Sequence, residues 1–351
     1  MLYNRGLTTP EQRFNFLYST PVIYDPSQLD NINQALFLLV DTIMSLGKIY
    51  IQVDCDCDGY TSAALFINYL YRIFPTVVDK LVVWNLHEDK KHGISIEKIP
   101  EGTKLVIVPD ASSNEADIHK YLTDKGIKVI VLDHHNAEIP DNETACIVNN
   151  QICNYPNKNL SGVGIVYQFC KLMDQYLNVK YADDYLDLVA VGNCGDMMDY
   201  REPETHYYIN EGFKNINNIF LREFIAAQEF SMKGKVSPFT VSWYVVPYIN
   251  AMARTGTIEE KEMLFQSLLD FKAETLVSSN KRGEKGEQVP LVKEAVRICG
   301  LVKARQEKLK KEILDKIDNS SYVDNSCGIT IICMPHDKIE SSENLNGLIA
   351  N

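Results

Sequence analysis

Four short apolar runs, each closing on polar or acidic residues, restrict what this chain can fold into. They are "KIYIQV" (Lys48 to Val53), "KLVVWNL" (Lys80 to Leu86), "KLVIVPD" (Lys104 to Asp110) and "KVIVLDHH" (Lys128 to His135). A strand with one wet face alternates apolar and polar residues, whereas a nearly continuous apolar run is buried on both faces. The runs therefore predict a parallel sheet covered by helices on each side. The stretches between them agree, because Thr61 to Phe74 and Glu115 to Lys125 have helical spacing. Ligands of such sheets sit beyond the carboxyl ends of the strands. Asp54, Asp110 and Asp133 each directly follow an apolar run, so three separate segments bring acids to one rim. One acidic strand end is ordinary; three on one rim suggest a site.

Beyond Asn150 the pattern becomes helical, first at Ser161 to Leu177 and then at Tyr185 to Asp199. From Val289 to Ile317 a single stripe of Val292, Val296, Cys299, Val302, Leu309 and Ile313 recurs at threes and fours. A long one-stripe helix of this kind often connects two domains. Its basic residues Lys303, Arg305, Lys308, Lys310 and Lys311 alternate with Glu307 and Glu312, which favours a solvated face over a nucleic-acid track. "CGITIICMP" (Cys327 to Pro335) begins a new strand, and the sixteen residues after it are too few for an independent domain. The fold class expected is α/β: a parallel sheet flanked by helices, then a helical region, a long connecting helix and the start of a second α/β domain.

Composition narrows the function classes. The 351 residues are 45% hydrophobic and 23% charged, which fits a globular chain. No apolar run reaches the roughly 18 residues of a membrane helix and no signal pattern opens the chain, which predicts no membrane partner and a cytoplasmic protein. Nine scattered cysteines without a CxxC pair argue against a disulfide framework or a structural zinc site. Cys55 and Cys57 read as small apolar residues. The net charge of −12 opposes non-specific binding to nucleic acid, but carboxylates gathered around divalent cations would inflate that charge.

Three aspartates at alternate positions, "DCDCDG" (Asp54 to Gly59), admit three explanations. A calcium loop needs a bidentate glutamate at its twelfth position, where Leu65 stands, and the motif follows a strand instead of a helix. "DCDGYT" and "GDMMD" (Gly195 to Asp199) resemble the nucleophile and magnesium motifs of haloacid-dehalogenase phosphatases, but Asp110 and Asp133-His134-His135 then have no work. A catalytic metal cradle uses all of them. Ionised carboxylates raise one another's pKa, and divalent cations remove that penalty. Oxygen ligands with one or two imidazoles suit manganese or magnesium. Two such ions activate a water and clamp both ends of a phosphoryl displacement. Carboxylates bridging them must come from more than one strand end, as Asp56, Asp58 and Asp110 do.

"DHH" at Asp133 to His135, with "DCDCDG" before it and "DLVAVGNCGD" (Asp187 to Asp196) after it, resembles the DHH phosphoesterase superfamily. The likeness continues in order through "VPD", "LDHHNAEIP", "IVNNQ" and "LSGVGIVY". "VPYINAMARTG" (Val246 to Gly256) is similar to the "P-R-L-N-A-x-G-R" segment of its RecJ-type exonucleases. Two departures stand out. Motif two reads "VPDASS" where the family has D-x-G. "LNGLIAN", similar to an early glycine segment of the DHH-associated domain, ends the sequence before the rest of that domain and the OB-fold of the family.

The resemblance implies a DHH catalytic domain over 1–285, helical from about 151, a connecting helix over 286–319, and an incomplete DHH-associated domain over 320–351. It implies a metal-dependent phosphodiesterase that degrades single-stranded DNA from 5′ to 3′ into mononucleotides during recombination, repair and replication. A single-strand-binding protein or a helicase is the partner implied. Asp54, Asp56, Asp58, Asp110, His134 and Asp196 fall on the family's metal positions, for two ions, Mn²⁺ first and Mg²⁺ second. Asp54 fits either a ligand or a residue orienting one, and Asp133 orients a histidine. His135 contacts the scissile phosphate or steadies the attacking water, the alternative being a core histidine. Arg254 matches a phosphate clamp, with a surface ion pair as its alternative, and Asn250 positions it. Gly162 and Gly164 open a helix, so they fit either backbone approach to a substrate phosphate or tight helix packing. Rival functions are a DHH-type enzyme for short RNA oligonucleotides or cyclic dinucleotides, against which the Arg254 segment argues, and a non-catalytic replication-complex subunit, which would have lost metal ligands.

Overall fold

The computed structural model describes residues 1–18, 20–138, 144–320, 322–324 and 331–333. The chain opens with α1 (Pro10–Tyr18) and α2 (Ile32–Met44), followed by β1 (Lys48–Val53), α3 (Cys57–Ile73), α4 (Pro75–Leu81) and β2 (Val82–Leu86). Next come β3 (Thr103–Pro109), α5 (Ala116–Asp124), β4 (Lys128–Asp133) and β5 (Cys146–Asn149). The helical region comprises α6 (Gly162–Leu177), α7 (Leu186–Gly195), α8 (Pro203–Gly212), α9 (Ile219–Ala227), α10 (Glu229–Met232), α11 (Pro238–Tyr244), α12 (Val246–Thr255), α13 (Ile258–Leu268) and α14 (Asp270–Ala273). The hairpin β6 (Leu276–Ser278) and β7 (Gln288–Pro290) leads into α15 (Leu291–Ser320), and β8 (Tyr322–Asp324) pairs antiparallel with β9 (Ile331–Cys333). The "LNGLIAN" segment lies outside the described residues.

β1 to β5 form one parallel sheet in the order β2-β1-β3-β4-β5. The continuous apolar runs are explained by two cores, one on each face. Ile49, Ile51, Leu105, Ile107, Ile130 and Leu132 pack with the helical region, while Tyr50, Val106, Val108, Val129 and Val131 pack around Leu122 of α5. The chain steps from β1 to β2 on one side, then returns to place β3 on the other side of β1. The strand order therefore reverses between β1 and β3, and there the loops diverge and leave a crevice.

Three elements differ from the sequence expectation. α3 begins at Cys57, not Thr61, because the aspartate run is itself the helix start: Asp56 accepts from the Asp58 and Gly59 backbone N–H groups at 3.0 and 3.1 Å. β2 begins at Val82, not Lys80, because Pro75 starts a short helix that runs to Leu81. β5, only four residues long, has no run of its own long enough to read as a strand. α15 follows its stripe, and Val292, Ala295, Cys299 and Val302 are buried against the helical region. Among its basic side chains, Lys303 pairs with Glu307 at 2.7 Å and Arg305 with Glu260 of α13 at 2.6 Å.

A buried polar knot fixes α6 against α8. Glu204, fully buried, accepts from Tyr155, Asn157, Gln168 and Tyr208 side chains and from the Tyr24 backbone at 2.9 to 3.1 Å. Glu204→Ala leaves these donors without an acceptor, so we expect a loss of about 3 kcal/mol or more in chemical denaturation. A loss below about 1 kcal/mol would show that the knot is not what holds these helices together.

Candidate metal centre at the strand ends

The reversal between β1 and β3 puts the acids of both strands on either side of one crevice. Asp54 directly follows β1, Asp56 caps α3, and Asp58 lies in its first turn. Asp110 directly follows β3 and is held in the left-handed region at φ 66°, its backbone N–H continuing the ladder to the Leu132 carbonyl at 2.8 Å. Ser112, at the glycine position of the D-x-G pattern that the segment resembles, has a positive φ of 86°. Glycine adopts such a backbone most readily, and here a serine holds it. His134 arrives from the end of β4, and Asp196 caps the C-terminus of α7.

Glycines make room for these side chains. The N-terminus of α6 aims at Asp58, which accepts from the Gly162 N–H at 2.6 Å, the Ser161 hydroxyl at 3.0 Å and the Val163 N–H at 3.2 Å. The N–H of Gly162, for which phosphate approach and tight packing are the two expectations, is given to a carboxylate in this structure. A Cβ on Gly162 would lie 2.3 Å from Asp110 Oδ1, and one on Gly192 would lie 2.4 Å from Asp58 Oδ1. Gly164 packs against Leu160, the packing alternative for that residue. We expect Gly162→Ala to displace Asp110 and weaken manganese affinity by roughly 10- to 100-fold, the range for disturbed ligand orientation. Calorimetric titration tests this, and unchanged affinity in a folded variant would rule the crowding out.

Asp110 also meets His134 and His135 in a third cluster, but two groups sharing Asp110 hold the carboxylates. Asp58, Asp110, His134 and Asp196 form one, and Asp54, Asp56 and Asp110 the other, each with its donor atoms within 4.8 Å of one another. All six residues assigned to metal from the sequence fall in these groups. His134 Nε2 lies 3.0 Å from Asp196 Oδ2, 3.3 Å from Asp110 Oδ1 and 3.8 Å from Asp58 Oδ2. Yet neither this nitrogen nor Asp110 Oδ1 nor Asp54 Oδ1, all buried, makes a directed hydrogen bond. Buried polar atoms are normally satisfied, and donors that converge without pointing at one another fit cations between them.

The electrostatics agree. Burial first, and then the charge of Asp196, push Asp58 up to about 7. Burial and then Asp58 raise Asp110 well above the ordinary carboxylate range, and burial raises Asp54 against the pull of His92. Burial disfavours charge on His134, but Asp196 and Asp58 outweigh it and raise the imidazole. Without cations the cluster therefore takes up protons; divalent ions replace them.

The surrounding residues orient this cradle. Asp133, buried, accepts from the His134 and His135 backbones at 2.7 and 3.2 Å and from His135 Nδ1 at 2.7 Å. Burial favours a neutral Asp133, yet His135 and Ser113 hold it well below the usual carboxylate range. In return Asp133 raises the half-exposed His135 to about 9. His135 faces His92 across a cavity of about 520 Å³ that also includes Ser112, Ser113, Asn114 and Asn136. Asn250 Oδ1 accepts from the Cys57 N–H at 2.8 Å, so it ties α12 to the start of α3, a role different from the expected contact with Arg254. Arg254 lies one turn further along α12, and its Nε is buried without a hydrogen-bond partner.

His92 is a residue that the sequence reading does not single out. Its Nδ1 lies 2.7 Å from Asp54 Oδ2, from a loop after β2 that Lys261 anchors through the His87 and Glu88 carbonyls at 2.9 and 2.6 Å. Glu115 holds the same loop by accepting from the Ile94 N–H at 3.0 Å. The available signal is position: His92 follows a strand end on the same rim as the aspartates.

Residues 48–193 match the DHH family, N-terminal domain. That stretch, from β1 to α7, is similar to a DHH domain. Over its whole length it is 38% identical to 60% of a relative from Bacillus subtilis, described as a putative SPbeta prophage-derived single-strand DNA-specific exonuclease, YorK. It is 28% identical to the single-stranded-DNA-specific exonuclease RecJ of Bacillus subtilis, over 79% of this chain and 36% of that protein. The chain thus spans about three fifths or less of these relatives. The structure resembles an exonuclease RecJ bound to manganese, with a TM-score of 0.68, 20% identity and coverage of 85% of this chain and 71% of that one. RecJ from Thermus thermophilus in complex with Mn²⁺ gives a TM-score of 0.67 at 20% identity, covering 89% of this chain and 44% of that one. At that identity the likeness shows the fold of the DHH domain and its helical region. Among the described residues no helix is long and apolar enough to cross a membrane.

Proposed function

We propose that this chain is the catalytic core of a RecJ-like exonuclease that hydrolyses single-stranded DNA from the 5′ end to mononucleotides in recombination, repair or replication. The observation carrying this reading is the convergence of Asp58, Asp110 and Asp196 on His134 Nε2, where His134 Nε2 and Asp110 Oδ1 are buried without directed hydrogen bonds, in a chain similar to single-strand-specific exonucleases. Asp110 belongs to both ligand groups and would sit between two ions, Mn²⁺ by preference and Mg²⁺ as substitute. When bound, such ions supply Lewis-acid activation of a water and neutralise charge on the phosphoryl group.

The chain's own residues do the remaining work. Helix α6 holds Asp58 in place through the Gly162 and Val163 N–H groups. Asp133 occupies Nδ1 of His135 and orients the ring, leaving Nε2 for a non-bridging oxygen of the scissile phosphate. Arg254, with a buried donor unsatisfied, supplies a planar fork for a phosphate of the strand. The division into a catalytic domain over 1–285, a connecting helix over 286–319 and a further domain beginning at 320 belongs to the same proposal. So does work in the cytoplasm beside a single-strand-binding protein or a helicase, since the reaction needs an exposed 5′ end.

A substrate panel tests this reading. With Mn²⁺, 5′-labelled single-stranded DNA is expected to release labelled mononucleotide, while duplex DNA and dinucleotides are poor substrates. Turnover confined to dinucleotides would favour an oligonucleotide-clearing enzyme instead. Tight binding of single strands without turnover would favour a scaffold subunit.

A further inference from the structure

Next to the cradle, and sharing Asp54 with it, three donors of a different chemical character meet. Asp54, Cys55 and His92 place a carboxylate oxygen, a thiol sulfur and an imidazole nitrogen within 4.8 Å of one another. His92 Nδ1 lies 2.7 Å from Asp54 Oδ2, and Cys55 Sγ lies 3.9 and 3.8 Å from the two ring nitrogens of His92. Asp54 is 1% exposed and its other oxygen has no hydrogen-bond partner, so its carboxylate is buried and under-satisfied. We propose that Asp54, Cys55 and His92 form a separate cation site for a borderline-soft ion such as Zn²⁺, open to solvent through the half-exposed His92.

The geometry is close to what such an ion needs. Tetrahedral zinc with bonds of about 2.0 Å to nitrogen or oxygen and about 2.3 Å to sulfur separates N from O by about 3.3 Å and N from S by about 3.5 Å. The His92–Asp54 pair must open by about 0.6 Å and the sulfur must approach by about 0.3 Å, shifts that a loop side chain absorbs. Binding replaces the proton between His92 and Asp54 and displaces the thiol proton, both leaving to solvent. A thiolate with an imidazole selects zinc over manganese, whereas the carboxylate groups around Asp110 select the harder ion. Three protein donors leave the fourth position to water, unlike a closed structural zinc site.

The two sites share Asp54, which also belongs to the group with Asp56 and Asp110. An ion held by Cys55 and His92 draws this carboxylate away from the manganese cradle, so zinc acts as an antagonist of manganese. Cobalt(II) is the probe, because a thiolate ligand gives it a near-ultraviolet charge-transfer band that oxygen ligands do not. Titration of the full chain with Co²⁺ is expected to produce that band, Cys55→Ser to remove it, and His92→Ala to weaken the affinity it reports by roughly 10- to 100-fold. Absence of the band in the unaltered chain, or its persistence in Cys55→Ser, overturns the site. An unchanged titration in His92→Ala, on an exposed loop and thus readable even where the Cys55 change disturbs folding, also overturns it. None of these readouts depends on nuclease activity.

Discussion

Asp110→Asn is expected to abolish hydrolysis of single-stranded DNA, lowering the rate by more than about 10³-fold while the protein stays folded. That figure exceeds the roughly 10²–10³ for one lost electrostatic contact because this carboxylate belongs to both ligand groups, so one substitution disturbs both ions. Asparagine keeps the size of the side chain, tolerates the left-handed backbone at φ 66° and relieves repulsion among the buried acids. Stability in the absence of metal should therefore rise or hold while activity vanishes. A steady-state assay with 5′-labelled oligonucleotide, paired with thermal melts of both proteins, reads the two effects separately. Retained turnover in a folded Asp110→Asn protein would remove this residue from the centre of the mechanism.

Removing the metal should turn the centre into a pH-dependent weak point. The folded pKa of Asp58 is raised from its ordinary 3.8 to about 7, and Asp110 is also raised, both chiefly by burial. The folded chain then binds more protons than the unfolded chain. This contribution to stability is fully present below the ordinary carboxylate range and is lost as pH rises through about 7. His134, raised above its ordinary value by Asp196 and Asp58, acts in the same direction. In chelator, the melting temperature should fall as pH rises from about 4 to about 7, and Asp58 alone accounts for about 2 kcal/mol of the loss above about pH 5.5. Added Mn²⁺ should restore more stability at the upper end of this range than at the lower, because it then competes with fewer protons. A metal-free melting temperature independent of pH across this range would mean that the acids are not gathered as described.

The part of this architecture readable from sequence is the part set by local pattern. Runs such as "KLVIVP" have to be buried on both faces, which fixes a covered parallel sheet, and acids at their ends have to share its rim. Asp54, Asp110 and Asp133 are legible as strand-end acids for that reason, whereas the assignment of Asp54, Asp56, Asp58, Asp110, His134 and Asp196 to metal comes through the resemblance. What stays hidden depends on how distant segments meet. Gly162 looks like a phosphate-facing helix start, and only the packing of α6 onto α3 shows its N–H given to Asp58 and its bare Cα facing Asp110. Asn250 is linked to Arg254 by proximity along the chain, while its hydrogen bond spans 193 residues to Cys57. His92 depends on a loop without regular structure, held by Lys261 from a helix far along the sequence. No periodicity reports such a contact.

The central claim is that separate strand ends gather their acids and His134 around a pair of manganese ions joined by Asp110. Anomalous scattering from a crystal grown with Mn²⁺ tests it most directly. Two peaks per chain are expected, one among Asp58, Asp110, His134 and Asp196 and the other beside Asp54, Asp56 and Asp110. A single peak away from Asp110, or manganese bound elsewhere with these side chains turned apart, would contradict it.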